Sequence, residues 1–317
     1  MVTLRIAHLT TAYHTSFILM GMGSGWLSRK LGVDIEWKLY PTGPAMVKAF
    51  AAGEIDLGYI GLPPAMMGIT QGLPLKCVAG GHVEGTVIIG TEDFQPLEKL
   101  GSLDDTLRQF EGKAIGTPTR GSIHDVMLRQ LLRKYKLEDQ VEVRNFEWAD
   151  LILDAIEKDI VQGGCGTPPL AVLGRQYAQT QIVVPPSAIW PYSPSYGIVT
   201  TEDVLETSRP FIEEFLRVHE DACNLIRLEP EKAADFAAKA IGLVQRDFLL
   251  EVYRVSPRYC ASLPPEYIES TMKFVPVLKA LNYILGNVTA DQVFRLDLLE
   301  NIHPDPPHYD DPALLAE

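Results

Sequence analysis

The chain has 317 residues, a net charge of −13 at pH 7 and hydrophobic residues at 46% of its positions. This length is long for one domain and leaves room for two, and the composition is that of a globular protein. The acidic balance argues against a nucleic-acid partner, because contacts to phosphates need a basic surface. It does not argue against a small anion, because charges far from a site are screened.

No apolar segment approaches the ~20 residues that a membrane-spanning helix needs. The chain opens with MVTLRIAHLT, which is typical of a strand and has neither the basic nor the apolar region of a signal peptide. We therefore expect a cytoplasmic protein if the chain is native as given. If an export signal was removed, we expect an extracytoplasmic protein in the periplasm or at the cell surface.

The first part of the chain alternates between predicted strands and helices. The pattern predicts a strand over 4–9, a helix over 16–31, a strand over 33–40, a helix over 44–52, a strand ending in IDLGYIG (55–61) and a helix beginning in PPAMM (63–67).

The same β-α-β-α-β order recurs from residue 113. Strands are predicted over 113–117, 141–146 and 160–166, and helices over 122–136, 148–158 and from 167 onwards. Aligning IDLGYIGLPPAMM (55–67) with IVQGGCGTPPLAV (160–172) matches Ile, two glycines and both prolines at the same offsets. The sequence therefore contains an internal repeat.

Alternating strands and helices indicate parallel strands with right-handed crossovers and helices on both faces of a sheet. We predict an α/β protein with two similar doubly wound lobes that are joined by two crossing strands. Residues 1–88 and 195–317 would form the first lobe, and residues 89–194 the second.

The rest of the chain, from residue 208, is predicted to be helical. Ser208 precedes Pro210, an arrangement typical of a helix cap followed by an early-turn proline. The tail, residues 301–317, is acidic and rich in proline, and is expected to run extended over the surface.

Ligand-binding residues are expected in the loops at the carboxyl ends of the strands, where open α/β sheets form their ligand crevice. Most of these loops carry Gly, Pro or a hydroxyl just ahead of a helix, and the free N–H groups of a helix start attract anions. Two lobes with such edges facing each other would form a cleft. The candidate ligand contacts are Tyr13, His14, Thr42, Gly43, Tyr59, Leu62, Pro63, His82, Glu84, Thr117, Arg120, Gly121, Ser122, His124, Gly166, Thr167, Trp190 and Tyr192.

Arg120 is the one Lys or Arg in these loops. It is either a cationic anchor for a ligand anion, beside the helix start at Gly121–Ser122, or a surface residue paired with an acid such as Asp125. Its place in the loop favours the anchor, with the N–H groups at Thr42–Gly43 as a second one. No G-x-G-x-x-G or phosphate-loop motif is present, so the predicted anion is smaller than a nucleotide.

Histidines and one cysteine in the same loops raise the question of a metal or an active site. His14, His82 and His124 have no H-x-E-x-H or H-x-x-x-H spacing, so neither a metal nor a cofactor is predicted, and each is either a ligand contact or a satisfied loop residue. Cys165 would be a nucleophile only if the fold brought a base such as His124 to it. The remaining cysteines, Cys77, Cys223 and Cys260, are predicted to be small buried apolar side chains.

Aromatic side chains are expected to wall the cleft, as they do in many small-molecule sites. Tyr13 and Trp190 are predicted in the wall, and Tyr59 and Tyr192 either there or in the core below. Glu84 is placed to accept a hydrogen bond from an ammonium or hydroxyl of the ligand.

The segment YPTGPAMVKAFAAGEIDLGYIGLPPAMMGITQGLPLKCVAGGHVEG (40–85) resembles the first-lobe signature of NMT1-like substrate-binding proteins of ABC importers for nitrate, taurine and alkanesulfonates. IGTPTRGSIHDVMLRQLL (115–132) resembles the matching second-lobe segment, and YGIVTT (196–201) with its following helices also fits. The resemblance implies a type II periplasmic-binding-protein fold whose lobes close on the ligand. It also implies delivery of that ligand to a membrane permease and an ATPase.

The leading hypothesis is a non-enzymatic solute-binding protein for a small organic anion or zwitterion, with hinges near Ile89–Thr91 and Tyr196–Val199. The alternative is an enzyme on the same scaffold, similar to sulfinate desulfinases, thiamine-pyrimidine synthases or menaquinone-pathway enzymes, that uses a cleft His or Cys165. The catalytic-Cys pattern of the desulfinases and the Cys-rich motif of the synthases do not match this sequence. Because the fold is shared, fold alone does not distinguish the two classes.

Overall fold

The computed structural model describes residues 3–23, 25–304 and 306–311. Within this part of the chain, two five-stranded mixed sheets form, each flanked by helices. The predicted α/β architecture of two similar lobes is confirmed.

The first sheet has the strand order β2-β1-β3-β10-β4. Strands β1, β2 and β3 are parallel, and β10 runs antiparallel to its neighbours β3 and β4. The bounds are Thr3–His8 for β1, Asp34–Leu39 for β2, Leu57–Ile60 for β3, Leu75–Val83 for β4 and Pro194–Thr201 for β10.

The second sheet has the order β7-β6-β8-β5-β9, in which β5 is the antiparallel strand. Its bounds are Val87–Thr91 for β5, Ala114–Pro118 for β6, Glu142–Phe146 for β7, Gly163–Gly166 for β8 and Thr180–Val184 for β9. The second sheet therefore repeats the first, with β5 in the place of β10. The repeat seen in the sequence corresponds to β3 and its following helix, and to β8 and its following helix.

Helices follow most strands, and a largely helical segment follows β10. Their bounds are Thr15–Gly21 (α1), Trp26–Leu31 (α2), Gly43–Ala51 (α3), Leu62–Thr70 (α4), Leu97–Leu100 (α5), Leu103–Arg108 (α6), Ile123–Lys134 (α7), Leu151–Glu157 (α8), Pro168–Tyr177 (α9), Pro186–Ile189 (α10), Glu202–Leu228 (α11), Pro230–Ile241 (α12), Arg246–Val255 (α13), Pro265–Met272 (α14), Phe274–Ala280 (α15) and Ala290–Val293 (α16). A short 3₁₀ helix spans Leu299–Asn301.

First-turn prolines fix where several helices begin. Pro44 lies in the first turn of α3, Pro63 and Pro64 in that of α4, and Pro168 and Pro169 in that of α9. A proline there has the φ that a helix needs, and its missing N–H group would have had no partner inside the helix. The repeated Pro-Pro pair therefore starts the corresponding helix of each lobe.

The predicted helix over 16–31 is two helices, α1 and α2. Gly23 and Gly25 lie between them with φ of +115° and +73°, a region that glycine enters without steric cost. The apolar periodicity of the segment did not reveal this break.

The chain passes between the sheets twice. Residues 84–86 connect β4 to β5, and residues 185–193, which include α10, connect β9 to β10. The hinges predicted near Ile89–Thr91 and Tyr196–Val199 lie inside β5 and β10, where backbone hydrogen bonds hold them in their sheets. The connecting residues are therefore displaced by a few positions from those predicted.

The C-terminal segment is helical as predicted, with a kink in its longest helix. Ser208 leaves helical geometry within α11, with φ −131° and ψ 15°, two residues before Pro210. The predicted surface tail is bound to the protein instead: Tyr309 is buried, and its hydroxyl donates to the carbonyl oxygens of Cys260 and Ser262. Residues 312–317 of that tail lie outside the described residues.

Among the helices built from residues 3–23, 25–304 and 306–311, none is both long and apolar enough to cross a membrane.

Candidate functional site

A small cavity of about 40 Å³ lies where loops of the two sheets meet. It receives residues from the loops after β1, β2 and β3 of the first sheet, and from those after β6, β7 and β8 of the second. The lining residues are Leu9, Thr10, Thr11, Tyr13, His14, Pro41, Thr42, Gly43, Gly61, Pro64, Pro118, Ser122, Ile123, His124, Ala149, Thr167, Ser195 and Tyr196. The site is therefore an interlobe cavity at the carboxyl ends of parallel strands.

The helices α3 and α7 begin at this cavity from opposite lobes. Thr42 precedes α3 and Ser122 precedes α7, and both residues line the cavity. The first N–H groups of a helix have no partner within it and carry the positive end of the helix dipole. In α4 and α9, which also begin here, the Pro-Pro pairs remove two of these donors each. Pro44 removes one donor from α3, and α7 has no first-turn proline, so α3 and α7 retain more helix-start N–H groups than α4 and α9.

No described residue of the lining is Asp, Glu, Lys or Arg. Its polar groups are hydroxyls and imidazoles, with hydroxyls from Thr10, Thr11, Thr42, Ser122, Thr167 and Ser195. Such groups recognise a polar ligand through oriented dipoles and hydrogen bonds, without an opposite formal charge.

Both histidines of the lining are neutral. His14 Nε2 lies 3.1 Å from Thr11 Oγ1, and His124 Nδ1 lies 2.9 Å from Thr86 Oγ1. Burial lowers the pKa of His124 to about 4 and the pKa of His14 well below its usual range. Near neutral pH these rings act as hydrogen-bonding groups and contribute no charge to the cavity.

A buried hydrogen-bonded network supports the cavity wall from the first lobe. The hydroxyls of Tyr13 and Ser195 lie 2.7 Å apart. Below them, Thr15 Oγ1 lies 2.9 Å from Nδ1 of His219, whose Nε2 lies 2.9 Å from the carbonyl oxygen of Gly80. That carbonyl can only accept, so Nε2 carries the proton and the Thr15 hydroxyl donates to Nδ1. The wall is therefore held in one arrangement by several hydrogen bonds.

The buried histidines predict a loss of stability in acid. Burial lowers the pKa of His219 to about 4, whereas an unfolded histidine has a pKa of about 6.5. The stability that follows from a neutral buried ring is complete above the unfolded pKa and is lost as the pH falls toward the folded pKa. We expect His219 to contribute about 2 kcal/mol to the difference in unfolding free energy between pH 7 and pH 5.

Urea unfolding at the two pH values measures this effect. His219→Gln keeps a donor and an acceptor but does not titrate, so its stability should fall by about 2 kcal/mol less than that of the unmodified protein. An equal fall in both proteins would show that His219 titrates normally in the folded state.

Arg120, the cationic anchor predicted from the sequence, does not lie in the cavity lining. Its side chain is exposed, and its guanidinium lies 5.6 Å from the ring centre of Tyr283. The Gly121 N–H beside it, which precedes α7, donates to the chain's own carboxylate at Asp125 Oδ2 at 2.9 Å and is not available to a ligand. Asp125 is fully buried and also accepts hydrogen bonds from Arg129 and Tyr283. These contacts agree with the surface alternative for Arg120, with Tyr283 as its partner in place of Asp125.

Seven of the predicted contacts do line the cavity: Tyr13, His14, Thr42, Gly43, Ser122, His124 and Thr167. Another group lies next to the cavity but outside its lining: Tyr59, Leu62, Pro63, His82, Thr117, Gly121 and Gly166. Tyr59 is a core residue whose ring is 5.9 Å from that of His14. His82 is held by the carbonyl oxygen of Ser256 at 2.7 Å, and burial lowers its pKa to about 3.

Glu84, a predicted ligand contact, lies outside the cavity lining and is paired within the protein. Its carboxylate accepts the N–H of Tyr192 at 2.7 Å and pairs with Arg258 at 2.5 Å. Its own N–H donates to the carbonyl oxygen of Ser193 at 2.8 Å. Glu84 thereby ties together the two segments that connect the sheets.

Trp190 and Tyr192 also lie outside the cavity lining, although Trp190 was predicted in its wall and Tyr192 either there or in the core below. Trp190 stacks on Phe274 with ring centres 4.1 Å apart, and its Nε1 donates to Ser270. Tyr192 faces the guanidinium of Arg258 at 5.0 Å. Both residues pack against the C-terminal helical segment, which the loop-based reasoning did not take into account.

Ser195 and Tyr196 are cavity residues that the sequence reasoning missed. They belong to β10, which is antiparallel to β3, so its amino end lies beside the carboxyl end of β3. A search restricted to carboxyl ends of strands does not reach such residues. The pairing direction of YGIVTT would have been the signal. The other missed lining residues are Leu9, Thr10, Thr11, Pro41, Gly61, Pro64, Pro118, Ile123 and Ala149.

Cys165 is buried and lies outside the cavity lining. A nucleophilic cysteine needs a base beside its sulfur, but this sulfur contacts a backbone carbonyl group. Its Sγ lies 3.6 Å from the backbone carbonyl oxygen of His124, while the ring of His124 is hydrogen-bonded to Thr86. Burial raises the pKa of the Cys165 thiol, which keeps it protonated.

Comparisons with known proteins agree with this arrangement. The profile of the NMT1-like family matches residues 2–242. The chain belongs to the NMT1-like family. A putative binding protein of Brucella abortus is 26% identical over 242 residues, which cover 75% of this chain and 71% of that protein.

Solved structures in this family's fold superpose over most of the chain. The alkanesulfonate-binding protein of Xanthomonas axonopodis pv. citri bound to MOPS has a TM-score of 0.77 at 16% identity, covering 93% of this chain and 99% of that one. The periplasmic nitrate-binding protein of Synechocystis has a TM-score of 0.76 at 13% identity, covering 96% of this chain and 88% of that one. At these identities the likeness establishes the fold.

Proposed function

We propose that the protein captures a small organic anion or zwitterion, such as a sulfonate, taurine or a nitrate-like ion, in the interlobe cavity. It would serve as the solute-binding component of an ABC importer and pass its ligand to a permease and an ATPase. The observation that carries the proposal is a cavity between two lobes, lined by hydroxyls and two facing helix starts. Related and structurally similar proteins named for alkanesulfonate and nitrate binding support it.

The chemistry of the lining favours the acid group of a ligand. The N–H groups at the starts of α3 and α7, with the Thr42 and Thr167 hydroxyls, would donate to its oxygens. The acid group of a sulfonate or nitrate is ionised at every physiological pH. The site therefore does not have to take up a proton from such a ligand, and neutral N–H and hydroxyl donors are sufficient to bind it. The apolar residues Leu9, Pro64 and Ile123 would contact the remainder of a small ligand.

The lobes would move about the two connecting segments. We propose that the lobes, predicted as residues 1–88 with 195–317 and as residues 89–194, move about 84–86 and 185–193, so that all of β5 moves with the second lobe and all of β10 with the first. Ligand entry and release would accompany such opening, because residues of both lobes line the cavity of about 40 Å³. As the binding component of an importer, the protein would act outside the cytoplasm, where importers collect their ligands.

Binding without turnover agrees with the surroundings of Cys165. Its sulfur contacts a carbonyl oxygen in place of an imidazole, and its thiol is held neutral by burial. We therefore expect Cys165→Ser to change ligand affinity by less than about twofold, measured by calorimetry. A turnover activity that disappears in this variant would support an enzyme in place of a binder.

A thermal-shift screen tests the proposed function. The panel would contain taurine, short alkanesulfonates, nitrate and acetate, with their uncharged analogues as controls. A ligand at ~100 times its dissociation constant stabilises the folded state by ~2.7 kcal/mol, which is a shift of several degrees for a protein of this size. Stabilisation by an acid and not by its neutral analogue supports the proposal, and stabilisation by neutral analogues alone contradicts it.

The place of Arg120 gives a further expectation for the same assay. Because its guanidinium is exposed and outside the lining, Arg120→Ala should leave the affinity for the stabilising acid within about twofold. Calorimetry measures this directly. A loss of more than tenfold would show that Arg120 reaches the ligand in the bound state.

A further inference from the structure

A cluster of four metal-ligand side chains lies outside the interlobe cavity. It combines Glu220 from α11, Cys260 from the loop between α13 and α14, and His303 and His308 from the C-terminal segment. One potential ligand atom from each residue lies within 4.8 Å of all the others. None of the four residues belongs to the cavity lining described above.

The distances are those of ligands around one ion. His303 Nε2 lies 3.1 Å from Cys260 Sγ and 3.3 Å from His308 Nδ1. Glu220 Oε1 lies 3.6 Å from His303 Nε2 and 3.5 Å from His308 Nδ1. A tetrahedral ion with bonds of about 2.0–2.3 Å separates its ligand atoms by about 3.3–3.8 Å, so small side-chain shifts would complete the geometry.

Among the described residues, only one of the two carboxylate oxygens of Glu220 has a hydrogen-bond partner. Oε2 accepts the N–H of Ala261 at 2.7 Å, whereas Oε1 is buried and has no hydrogen-bond partner among the described residues. An unsatisfied buried carboxylate oxygen is costly, and here it faces two imidazole nitrogens. The arrangement leaves that oxygen available to a cation.

The sulfur of Cys260 has backbone contacts of the kind found around a metal-bound sulfur. It accepts the N–H groups of Ser262 and His308, both at 3.4 Å. Burial, with Glu220 nearby, raises the pKa of the free Cys260 thiol, so a bound ion would displace its proton. The two N–H groups would then be the outer partners that orient a metal-bound sulfur. The side chain is buried, so the sulfur is shielded from solvent.

We propose that Glu220, Cys260, His303 and His308 bind one divalent transition-metal ion of the zinc type. One thiolate, two imidazoles and one carboxylate are ligands that Zn²⁺ and its neighbours accept, whereas Ca²⁺ and Mg²⁺ prefer oxygen ligands alone. Four protein ligands that can surround one ion tetrahedrally indicate a structural zinc site, because a catalytic zinc site keeps one coordination position open for water or substrate.

The site also has a route to solvent. A surface cavity of about 350 Å³ lies against Glu220, His303 and His308, and the side chain of His308 is 29% exposed. Asp221 and Asn224 line the same cavity and add oxygen atoms near its opening. An ion could thus enter from this side without rearrangement of the core.

The bound ion would join three distant parts of the chain. Helix α11, the loop at Cys260 and the C-terminal segment would share one ion, in addition to the hydrogen bonds of Tyr309 and the ion pair between Arg227 and Asp311. Metal binding to the folded state stabilises it by mass action. The role inferred here is to hold the C-terminal segment on the first lobe.

Cobalt titration of tag-free protein, freed of metal by a chelator, tests the site. We expect one equivalent of Co²⁺ to bind, with a thiolate-to-cobalt charge-transfer absorption, and Zn²⁺ to displace it. Cys260→Ser should abolish that absorption, and Cys165→Ser, which alters a buried cysteine outside the cluster, should retain it. Absence of the absorption in unmodified protein, or its persistence in Cys260→Ser, would overturn the proposal.

His308→Ala gives a second test that does not depend on the core. His308 is partly exposed, so the variant should fold, which circular dichroism verifies. Its Zn²⁺ affinity, measured by competition with a chromogenic chelator, should fall by more than about 100-fold, because even the outer partners of metal ligands contribute 10- to 100-fold. Zinc should raise the melting temperature of the unmodified protein but not that of His308→Ala. Unchanged affinity in this variant would also overturn the proposal.

Discussion

Gly21→Ala should destabilise the protein by about 3 kcal/mol or more. Gly21 is the last residue of α1, and a Cβ atom there would lie 1.8 Å from the carbonyl oxygen and 2.4 Å from the carbonyl carbon of Phe236 in α12. Both are backbone atoms, so no side-chain rotation relieves the overlap. The two helices would have to separate and give up buried contacts between them.

Urea unfolding of purified protein measures this loss, and Gly286→Ala is its control. In the described part of the chain, no atom lies within 4 Å of the position that the Cβ of an alanine would occupy at Gly286, and the φ of this residue is ordinary. Its substitution should therefore change stability by less than about 0.5 kcal/mol. If Gly21→Ala were as stable as Gly286→Ala, α1 and α12 would not be packed at this distance.

Thr42→Asp should reduce the affinity for an anionic ligand by about 100-fold or more while leaving the fold intact. Thr42 lines the cavity and precedes α3, and its side chain makes no capping hydrogen bond to that helix. Asp is a good residue at this position of a helix and complements the dipole, so α3 should be at least as stable. In the cavity, the new carboxylate would face the acid group of the ligand, and like charges in contact cost several kcal/mol.

Thr42→Asn is the matched control for this experiment. Asn has nearly the shape of Asp and also caps helices, but it carries no charge. We expect Thr42→Asn to retain binding within about tenfold when both variants are titrated with the same acid by calorimetry. Equal affinities in the two variants would show that the anionic group binds away from α3.

The sequence was sufficient to predict the architecture because its periodicity and internal repeat are local signals. The alternation of strands and helices and the repeated Pro-Pro helix starts required no knowledge of long-range contacts. What it could not supply was the direction of β10, which depends on how the chain returns to the first sheet. That direction brings Ser195 and Tyr196 to the cavity.

The sequence also could not show that a carboxylate of the chain itself accepts the Gly121 N–H. Arg120, Gly121 and Ser122 have the residue types of an anion site, but the side chain of Asp125 folds back onto Gly121 N–H. The same sequence would be found whether the Asp125 side chain folded back onto the Gly121 N–H or pointed away from it. Whether the Gly121 N–H can bind an external anion therefore depends on the tertiary structure.

The metal-ligand cluster was missed for a different reason. Only histidines in the strand-end loops were considered, whereas His303 and His308 lie in the tail that was expected to be extended. Their partners Glu220 and Cys260 are 43 or more positions away from His303 in the sequence, and only packing of the tail brings the four together. The H-x₄-H spacing in HPDPPH was the one local signal.

A crystal structure of the complex with the acid that gives the largest thermal shift tests the central claim most directly. We expect the acid group inside the interlobe cavity, within hydrogen-bonding distance of N–H groups at the starts of α3 and α7, with Arg120 remaining at the surface. An acid group paired with Arg120, or bound outside the cavity lining, would contradict an anion site built from helix starts and hydroxyls.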